Sequence, residues 1–441
     1  MSLLRITASL ACVLSLLGAP FVATRAADSA VLSLAQAITI AQRDNKDLQA
    51  ARHSVAIARA RLQQAGARPN PNLNFSETSG AAFGRSSDYN ASIGISQAFP
   101  IAGRIARQQA VSRVDVVLAN AEIQQNENAL ARDVANAFYR LLILDRQIAV
   151  RDALLETTTR LVTATRQRLQ VAEAAEVDLS SAQLERARLV QERAQLQQQR
   201  FVQLAALNQL LARPSAQPLT PLDTVPEATQ LPSLGTQQQQ ALHRRPELRS
   251  AALRIDRAQA EQALAHAERW EDWTVGVNVE QSHQVLDGVG PQGTDRSVGI
   301  NLSIPLPLSS RTRGRLAEAG AAKAQASAQT EALRFSIENE IVSRRSELER
   351  LQAELQNYRQ TLLPLAARTQ SLTAQAYQQG QAPIQNVVLA QQQSAALRSA
   401  YLNTLEQFLQ TWVALQTAAG DYLESPQTND TALTSGSNST P

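Results

Sequence analysis

Tyr89-Asn90-Ala91-Ser92-Ile93-Gly94-Ile95-Ser96-Gln97-Ala98-Phe99 alternates strictly. Tyr89, Ala91, Ile93, Ile95, Gln97 and Phe99 form a mostly apolar face, and Asn90, Ser92, Gly94 and Ser96 form a small or polar one. The alternation returns in Val298, Ile300, Leu302, Ile304 and Leu306, with Gly299, Asn301 and Ser303 between them. Strands with one apolar and one polar face suit a membrane barrel, where one side meets lipid and the other meets water. Leu73 and Phe75, and Trp273, Val275, Val277 and Val279, supply a hairpin partner in each half. Four strands do not close such a barrel, because about eight is the smallest number and an open edge in lipid leaves backbone groups unpaired. The chain is therefore expected to oligomerise to finish it.

Outward from the strands run heptad-like segments. Leu348, Leu351, Leu355, Tyr358, Leu362, Leu365, Thr369, Leu372 and Ala376 alternate spacings of three and four, and Ile148, Leu155, Val162 and Leu169 hold the same register in the first half. This is the seam of a coiled coil. Val190, Ala194, Phe201, Leu204 and Leu211 carry it on one return helix, and Leu397, Tyr401, Phe408 and Leu415 on the other. One helix over about 101–170 would be ~100 Å long at ~1.5 Å per residue. Aromatics make up 4% of the 441 residues, with 17 Gly and 17 Pro, while Ala, Gln, Leu and Arg dominate. That composition favours long helices.

The chain reads as two copies of one plan. Asp47 aligns with Glu247 at an offset of 200, Pro100 with Pro305 at 205, and Gln183 with Gln391 at 208. The expected organisation is a first repeat over 27–212, with strands at about 72–99 and a helical hairpin at about 101–211. A Pro-rich linker at 213–234 leads to a second repeat over 235–420, with strands at about 272–306 and a hairpin at about 311–419. The expected fold is mainly α with a small membrane β part.

Residues 1–26 read as a secretory signal, with Arg5, an apolar run from Leu10 to Leu17, and the cleavage signature Thr24-Arg25-Ala26. Cys12, the single cysteine, lies inside it. A lipoprotein reading of Ser9-Leu10-Ala11-Cys12 meets too short an apolar run. Cleavage removes Arg5 and Arg25 and no acid, lowering the formal charge from +3 to +1, which argues against a nucleic-acid partner. No other segment has the ~20 apolar residues of a membrane-spanning helix. Residues 421–441, rich in Ser, Thr and Asn, read as a disordered tail.

The strand-to-helix junctions are Gln97-Ala98-Phe99-Pro100-Ile101-Ala102-Gly103-Arg104 and Ile304-Pro305-Leu306-Pro307-Leu308-Ser309-Ser310-Arg311-Thr312-Arg313-Gly314. With the duplicated halves, they resemble the TolC-like outer-membrane factor family over roughly 33–420, most closely its CzcC-type branch, the exit channels of heavy-metal efflux. The resemblance implies a homotrimer in which each protomer gives four strands to a 12-stranded barrel and its long helices to a hollow α-helical barrel across the periplasm. It also implies an outer-membrane location, a periplasmic adaptor and an inner-membrane resistance-nodulation-division pump as partners, and divalent heavy-metal cations as cargo. A channel for drugs or other small molecules is the alternative, and a periplasmic coiled-coil adaptor or tether is the alternative of a different class.

The periplasmic turns are expected at 169–178 and 377–386, with Gly380 suited to end one helix and Pro383 to begin the next. By position in the family, adaptor docking falls to Val171, Ala172 and Glu173, and to Gln379, Gly380 and Gln381. The TolC type narrows its pore with acidic side chains just after the second turn. Here Asn386 and Leu389 occupy those places. Asp178, with Glu173 and Glu176, forms either a cation-attracting ring or a solvated helix start. His53, His243, His266 and His283 are scattered without ligand spacing, so no resident metal is expected. No phosphate loop or nucleophile arrangement is present, so neither catalysis nor a cofactor is expected.

Overall fold

The computed structural model describes residues 30–79, 89–222, 225, 232–283, 293–306 and 311–420. The expected signal segment, the tail, the loop at 80–84, most of the loop at 286–293 and Pro307–Ser310 lie outside them.

Strand β1 (Ala30–Leu32) leads into helices α1 (Leu34–Asp44) and α2 (Lys46–Ala65). Ser33 starts α1 through a reciprocal cap, its Oγ accepting from the Gln36 N–H at 3.3 Å while the Gln36 Oε1 accepts from the Ser33 N–H at 2.9 Å. Strands β2 (Asn72–Ser79) and β3 (Tyr89–Phe99) follow, then α3 (Arg104–Gln170) and α4 (Glu176–Leu210). At 67 residues, α3 is ~100 Å long. After β4 (Leu219–Pro221) the order recurs as α5 (Leu234–Arg244), α6 (Pro246–Ala267), β5 (Trp273–His283), β6 (Asp295–Ser303) and α7 (Arg311–Asn357). A π-turn (Tyr358–Leu362), α8 (Leu363–Gln378) and α9 (Ile384–Ala419) complete the chain.

Segment 213–234 is not linker throughout. Its β4 pairs in parallel with β1, Ala30 opposite Leu219 and Leu32 opposite Pro221, and the Leu222 N–H donates to the Leu32 carbonyl at 2.8 Å. Strands of three residues are too short for alternation to reveal.

The four longer strands form one antiparallel sheet in the order β2-β3-β5-β6. The central pairing, from Tyr89–His283 to Phe99–Trp273, joins the two halves of the chain. The outer edges of β2 and β6 have no partner among the described residues of the chain.

The main core gathers α1 and the middle of the long helices around Phe138, Leu141, Ile143, Leu207, Ile337 and Leu409. Burial corrects the expected seams in two places. On α4, Val190 and Phe201 are exposed, and the inward stripe is Ala182, Glu185, Leu189, Leu204, Leu207 and Leu211. Along α7 and α8 the seam does not run unbroken. Leu348, Leu351 and Leu355 are buried, but Leu365, Thr369 and Leu372 turn outward, and Ala366, Gln370, Thr373 and Tyr377 take the less exposed positions. The stripe slips by one residue at the π-turn, where the Leu363 N–H reaches five residues back to the Tyr358 carbonyl. Pro364 supplies the cause: it lacks an N–H, and its ring would crowd the carbonyl four residues earlier in a regular helix.

The α3–α4 hairpin is laced on its outside. Arg200 and Arg193 pair with Asp145 and Asp152, and the Arg186 Nε donates to the Thr159 Oγ1 at 3.3 Å. Both series step by seven residues in opposite directions, fixing the register of an antiparallel pair. The second hairpin differs. Arg345 and Arg350 pair with Glu349 and Glu354 of their own helix, at 2.9 and 2.8 Å.

Candidate functional site

Two regions concentrate unusual chemistry: the sheet, and the turns at the far end of the helical hairpins.

On one face of the sheet, register aligns Leu73, Ile95, Val277 and Ile300 in one row and Phe75, Ile93, Val279 and Val298 in the next. These side chains are exposed, Ile300 to 79%. An apolar surface of this extent marks a membrane or protein contact. Aromatics bracket it, with Phe99 opposite Trp273 at the helical end and Tyr89 stacked on His283 at the other, ring centroids 5.8 Å apart. The 11 residues of β3 span ~33 Å, and a tilt of about 40° reduces this to ~25 Å, the height of a barrel's apolar band.

The opposite face is small and polar. One row reads Asn72, Ser96, Gly276 and Asn301, and the next Asn74, Gly94, Asn278 and Gly299. The asparagines lie over the glycines: a Cβ on Gly299 would sit 2.7 Å from the Asn278 Oδ1, and one on Gly276 would collide with the Asn301 Oδ1. At those two positions an asparagine side chain would have to move, whereas at Gly94 a Cβ would sit 2.8 Å from the Val277 carbonyl oxygen, a close approach of backbone that requires glycine. Among the described strand residues, Glu280 and Asp295 are the only charged groups on this face. The Asn90 Nδ2 donates to the Glu280 Oε1 at 2.5 Å.

At the hairpin ends the two turns share one geometry. Gly380 stands at φ 72°, the Gln381 N–H donates to the Ala376 carbonyl at 2.8 Å, and the Gly380 N–H to the Tyr377 carbonyl at 3.0 Å. Ala172 repeats this at φ 58°, with the Glu173 N–H donating to the Arg168 carbonyl at 2.8 Å and the Ala172 N–H to the Leu169 carbonyl at 3.0 Å. Both are left-handed helix stops, one built with glycine and one with alanine.

A cleft of about 290 Å³ opens between the turns, lined by Arg168, Glu173, Asp178, Gly380, Gln381 and Pro383 among others. The Arg168 Nη1 donates to the Tyr377 carbonyl at 3.2 Å, its guanidinium lies 5.0 Å from the Tyr377 ring centre, and its Nε is 3.7 Å from the Glu173 Oε2. The Tyr377 hydroxyl and the Thr165 Oγ1 are 3.2 Å apart. Asp178 closes its own helix start, its Oδ2 accepting from the Ala175 N–H at 3.3 Å, and its Oδ1 accepts from the Gln385 Nε2 at 3.2 Å.

Of the residues singled out in the sequence, Glu173, Asp178, Gly380 and Gln381 meet at this cleft. Val171, Ala172 and Gln379 are exposed on the turns beside it. Glu176 is exposed in the first turn of α4, and Asn386 and Leu389 lie on the exposed side of α9, outside the cleft lining. Arg168 and Thr165 lie before the expected turns, and Tyr377 and Gln385 fall within the second one without any local mark of the contacts they make. Tyr377 left a trace as the lone aromatic of an Ala/Gln-rich stretch, immediately before the turn. Among the described residues, no three His, Cys, Asp or Glu side chains gather to hold a metal ion, and no helix is long and apolar enough to cross a membrane.

A family model described as outer membrane efflux protein matches residues 37–213 and 238–421. Three solved structures illustrate the likeness in fold. The transmembrane-channel-forming CusC is 18% identical, with a TM-score of 0.71 over 88% of this chain and 92% of that one. The outer membrane protein VceC from the bacterial pathogen Vibrio cholerae is 20% identical, at 0.66 over 88% and 96%. The open state of the Neisseria gonorrhoeae outer membrane channel MtrE is 18% identical, at 0.67 over 89% of each chain. No curated protein matches significantly in sequence.

Proposed function

The chain belongs to the outer membrane efflux protein family, and from that premise we propose that it is the outer-membrane exit channel of a tripartite efflux system, carrying divalent heavy-metal cations. The observation that carries the channel reading is the sheet, with an exposed apolar face, a polar face and two unpaired edges. In lipid those edges must be closed, and three copies pairing β2 of one protomer with β6 of the next give 12 strands. The Asn, Ser and Gly rows then line the passage, and the long helices extend it into the periplasm. A periplasmic adaptor docks on the paired turns around Val171–Glu173 and Gln379–Gln381, and an inner-membrane pump of the resistance-nodulation-division type supplies the energy. The chain itself performs no chemistry. A periplasmic tether would have no use for exposed rows of Leu, Ile and Val.

Cation cargo is supported by the polar face, whose described charges, Glu280 and Asp295, are both acidic. Repeated three times around an axis, they would favour cations at the mouth. Export of drugs or other small molecules is the second reading, favoured by the uncharged rows deeper in the sheet. Growth of a deletion strain on zinc, cobalt, cadmium, nickel and copper salts, beside dyes, detergents and antibiotics, separates the two. Sensitivity to metals restored by the intact gene supports the first, and sensitivity confined to organic compounds overturns it.

A further inference from the structure

The Arg311-Thr312-Arg313-Gly314 run is one of four places where a helix meets the sheet, and each of the four carries arginine. Arg68 lies between α2 and β2, Arg104 and Arg107 open α3 after β3, Arg269 lies between α6 and β5, and Arg313 and Arg315 stand in the first turns of α7 after β6. Local acids engage only two of them. Arg104 pairs with Asp272, and Arg315 lies 3.6 Å from Glu268 and 3.1 Å from Glu318. The side chains of Arg68, Arg107, Arg269 and Arg313 are exposed and make no ion pair or hydrogen bond with the described residues, against one exposed acid without such a partner among them, Glu271. Among the described residues the opposite end of the sheet has the other sign, with Glu77, Glu280 and Asp295 against Arg296. Exposed Phe99, Trp270, Trp273 and Leu306 stand at the level of the arginines, continuing the apolar face of the strands.

We propose that these four junctions form an arginine collar that holds the anionic phosphate headgroups of phospholipids in the periplasmic leaflet. The inference rests on the membrane placement of the sheet proposed above. Its chemistry is particular. Of the 42 lysines and arginines of the chain all but Lys46 and Lys323 are arginine, and the planar guanidinium grips a phosphate with two parallel N–H donors where lysine offers a point charge. The apolar stems of the arginines lie along the hydrocarbon boundary while their heads reach the headgroups, and the tryptophans anchor the same plane. With three copies the collar carries 12 arginines that have no side-chain partner among the described residues, and the attraction fades within a Debye length of the surface.

The test uses the full-length protein in bilayers mixing phosphatidylglycerol with phosphatidylcholine. Native mass spectrometry of the released oligomer counts retained lipids, and single-channel conductance is recorded in the same bilayers. The wild type is expected to retain phosphatidylglycerol several-fold over phosphatidylcholine, less so as salt rises. The R68Q/R107Q/R269Q/R313Q variant should approach parity with conductance preserved, and the matching quadruple lysine variant should keep part of the preference. Equal retention of both lipids by the wild type, or an undiminished preference in a folded glutamine variant, overturns the collar. If the glutamine variant does not fold, the wild type's salt dependence decides, and a preference indifferent to salt overturns it. Conductance without lipid preference sinks the collar alone, whereas absence of conductance in every protein sinks the channel reading.

Discussion

Arg168 lies over the ring of Tyr377, 5.0 Å from its centre, and donates to the carbonyl of that same residue at 3.2 Å. One residue thus grips another, 209 positions later, by both side chain and backbone, and joins the tip of the first hairpin to the tip of the second. A cation over an aromatic face and a charged hydrogen bond together are worth ~1–3 kcal/mol when partly shielded from water. Arg168→Ala is expected to raise amide hydrogen exchange across 171–175 and 379–383 by about ten-fold or more and to leave the sheet unchanged. Tyr377→Phe, which keeps the ring and loses the contact with Thr165, should have a smaller effect. Exchange at both turns equal to the wild type in Arg168→Ala would show that the clasp carries no stability.

The ladder on the first hairpin should behave as three separable rungs. Asp145 and Arg200 are the better shielded pair, and Asp152 and Arg193 are more exposed. Asp145→Asn is expected to cost ~1 kcal/mol and Asp152→Asn about half of that. Exchanging the charges, Asp152→Arg with Arg193→Asp, should recover most of the loss. Thr159→Asp converts the third rung into an ion pair with Arg186 and should add ~0.3–0.5 kcal/mol at low salt. Thermal melting of the four variants at low and high salt checks the set, and a salt-independent loss would mean that packing rather than charge is being disturbed.

Ala172 at φ 58° and Ala212 at φ 54° end α3 and α4 in the left-handed conformation that Gly380 and Gly420, at 72° and 75°, supply in the second half. An L side chain there costs about 1–2 kcal/mol, partly offset by the extra freedom that glycine gives the unfolded chain. Ala172→Gly and Ala212→Gly should therefore each stabilise by ~0.5–1 kcal/mol, read as a rise in melting temperature. A fall in either would mean that its methyl group makes a contact worth more than the backbone strain.

Burial pushes the Glu406 carboxyl on α9 above its ordinary value, against the opposing pull of Arg140 at 3.9 Å and a hydrogen bond from the Gln410 Nε2 at 3.1 Å. The unfolded chain releases this proton at a lower pH than the folded one. As pH rises from the ordinary carboxylate value through the folded one, stability is lost, and acidification through the same window restores it. Glu406→Gln should consequently be more stable than the wild type at neutral pH, with the difference closing as pH falls. Melting curves from pH 4 to 8 that run parallel for the two proteins would contradict this.

Much of the secondary structure could be read locally. The period of two in Tyr89–Phe99 becomes a strand because its signal needs no distant partner, and the heptads of 104–170 become one helix for the same reason. The phase of a helix is less accessible. Val190 and Phe201 continue an apolar pattern yet are exposed in the single chain, since two apolar stripes on one helix look alike without a partner to choose between them. Pro364 is visible inside the heptads, but the three-and-four spacing continues past it in the sequence, so nothing local marks the one-residue slip of the buried stripe. At the tip, the turn residues could be placed by their stop signals. Arg168 and Tyr377 could not, because their meaning depends on a neighbour in the other half of the chain.

The π-turn at Tyr358–Leu362 makes α7 and α8 two segments of one rod set out of phase. An α-helix advances ~100° per residue, so one extra residue in a single turn rotates everything beyond it by about a quarter of a revolution. The azimuth of Tyr377 is thereby chosen some four turns away, at Pro364, and its ring points at Arg168 only because that offset is built in. Substituting any one residue between would leave the aim intact. Adding or deleting one would swing the tyrosine away from the arginine while every helix remained whole. In this stretch the chain tolerates changes of spelling and not changes of length.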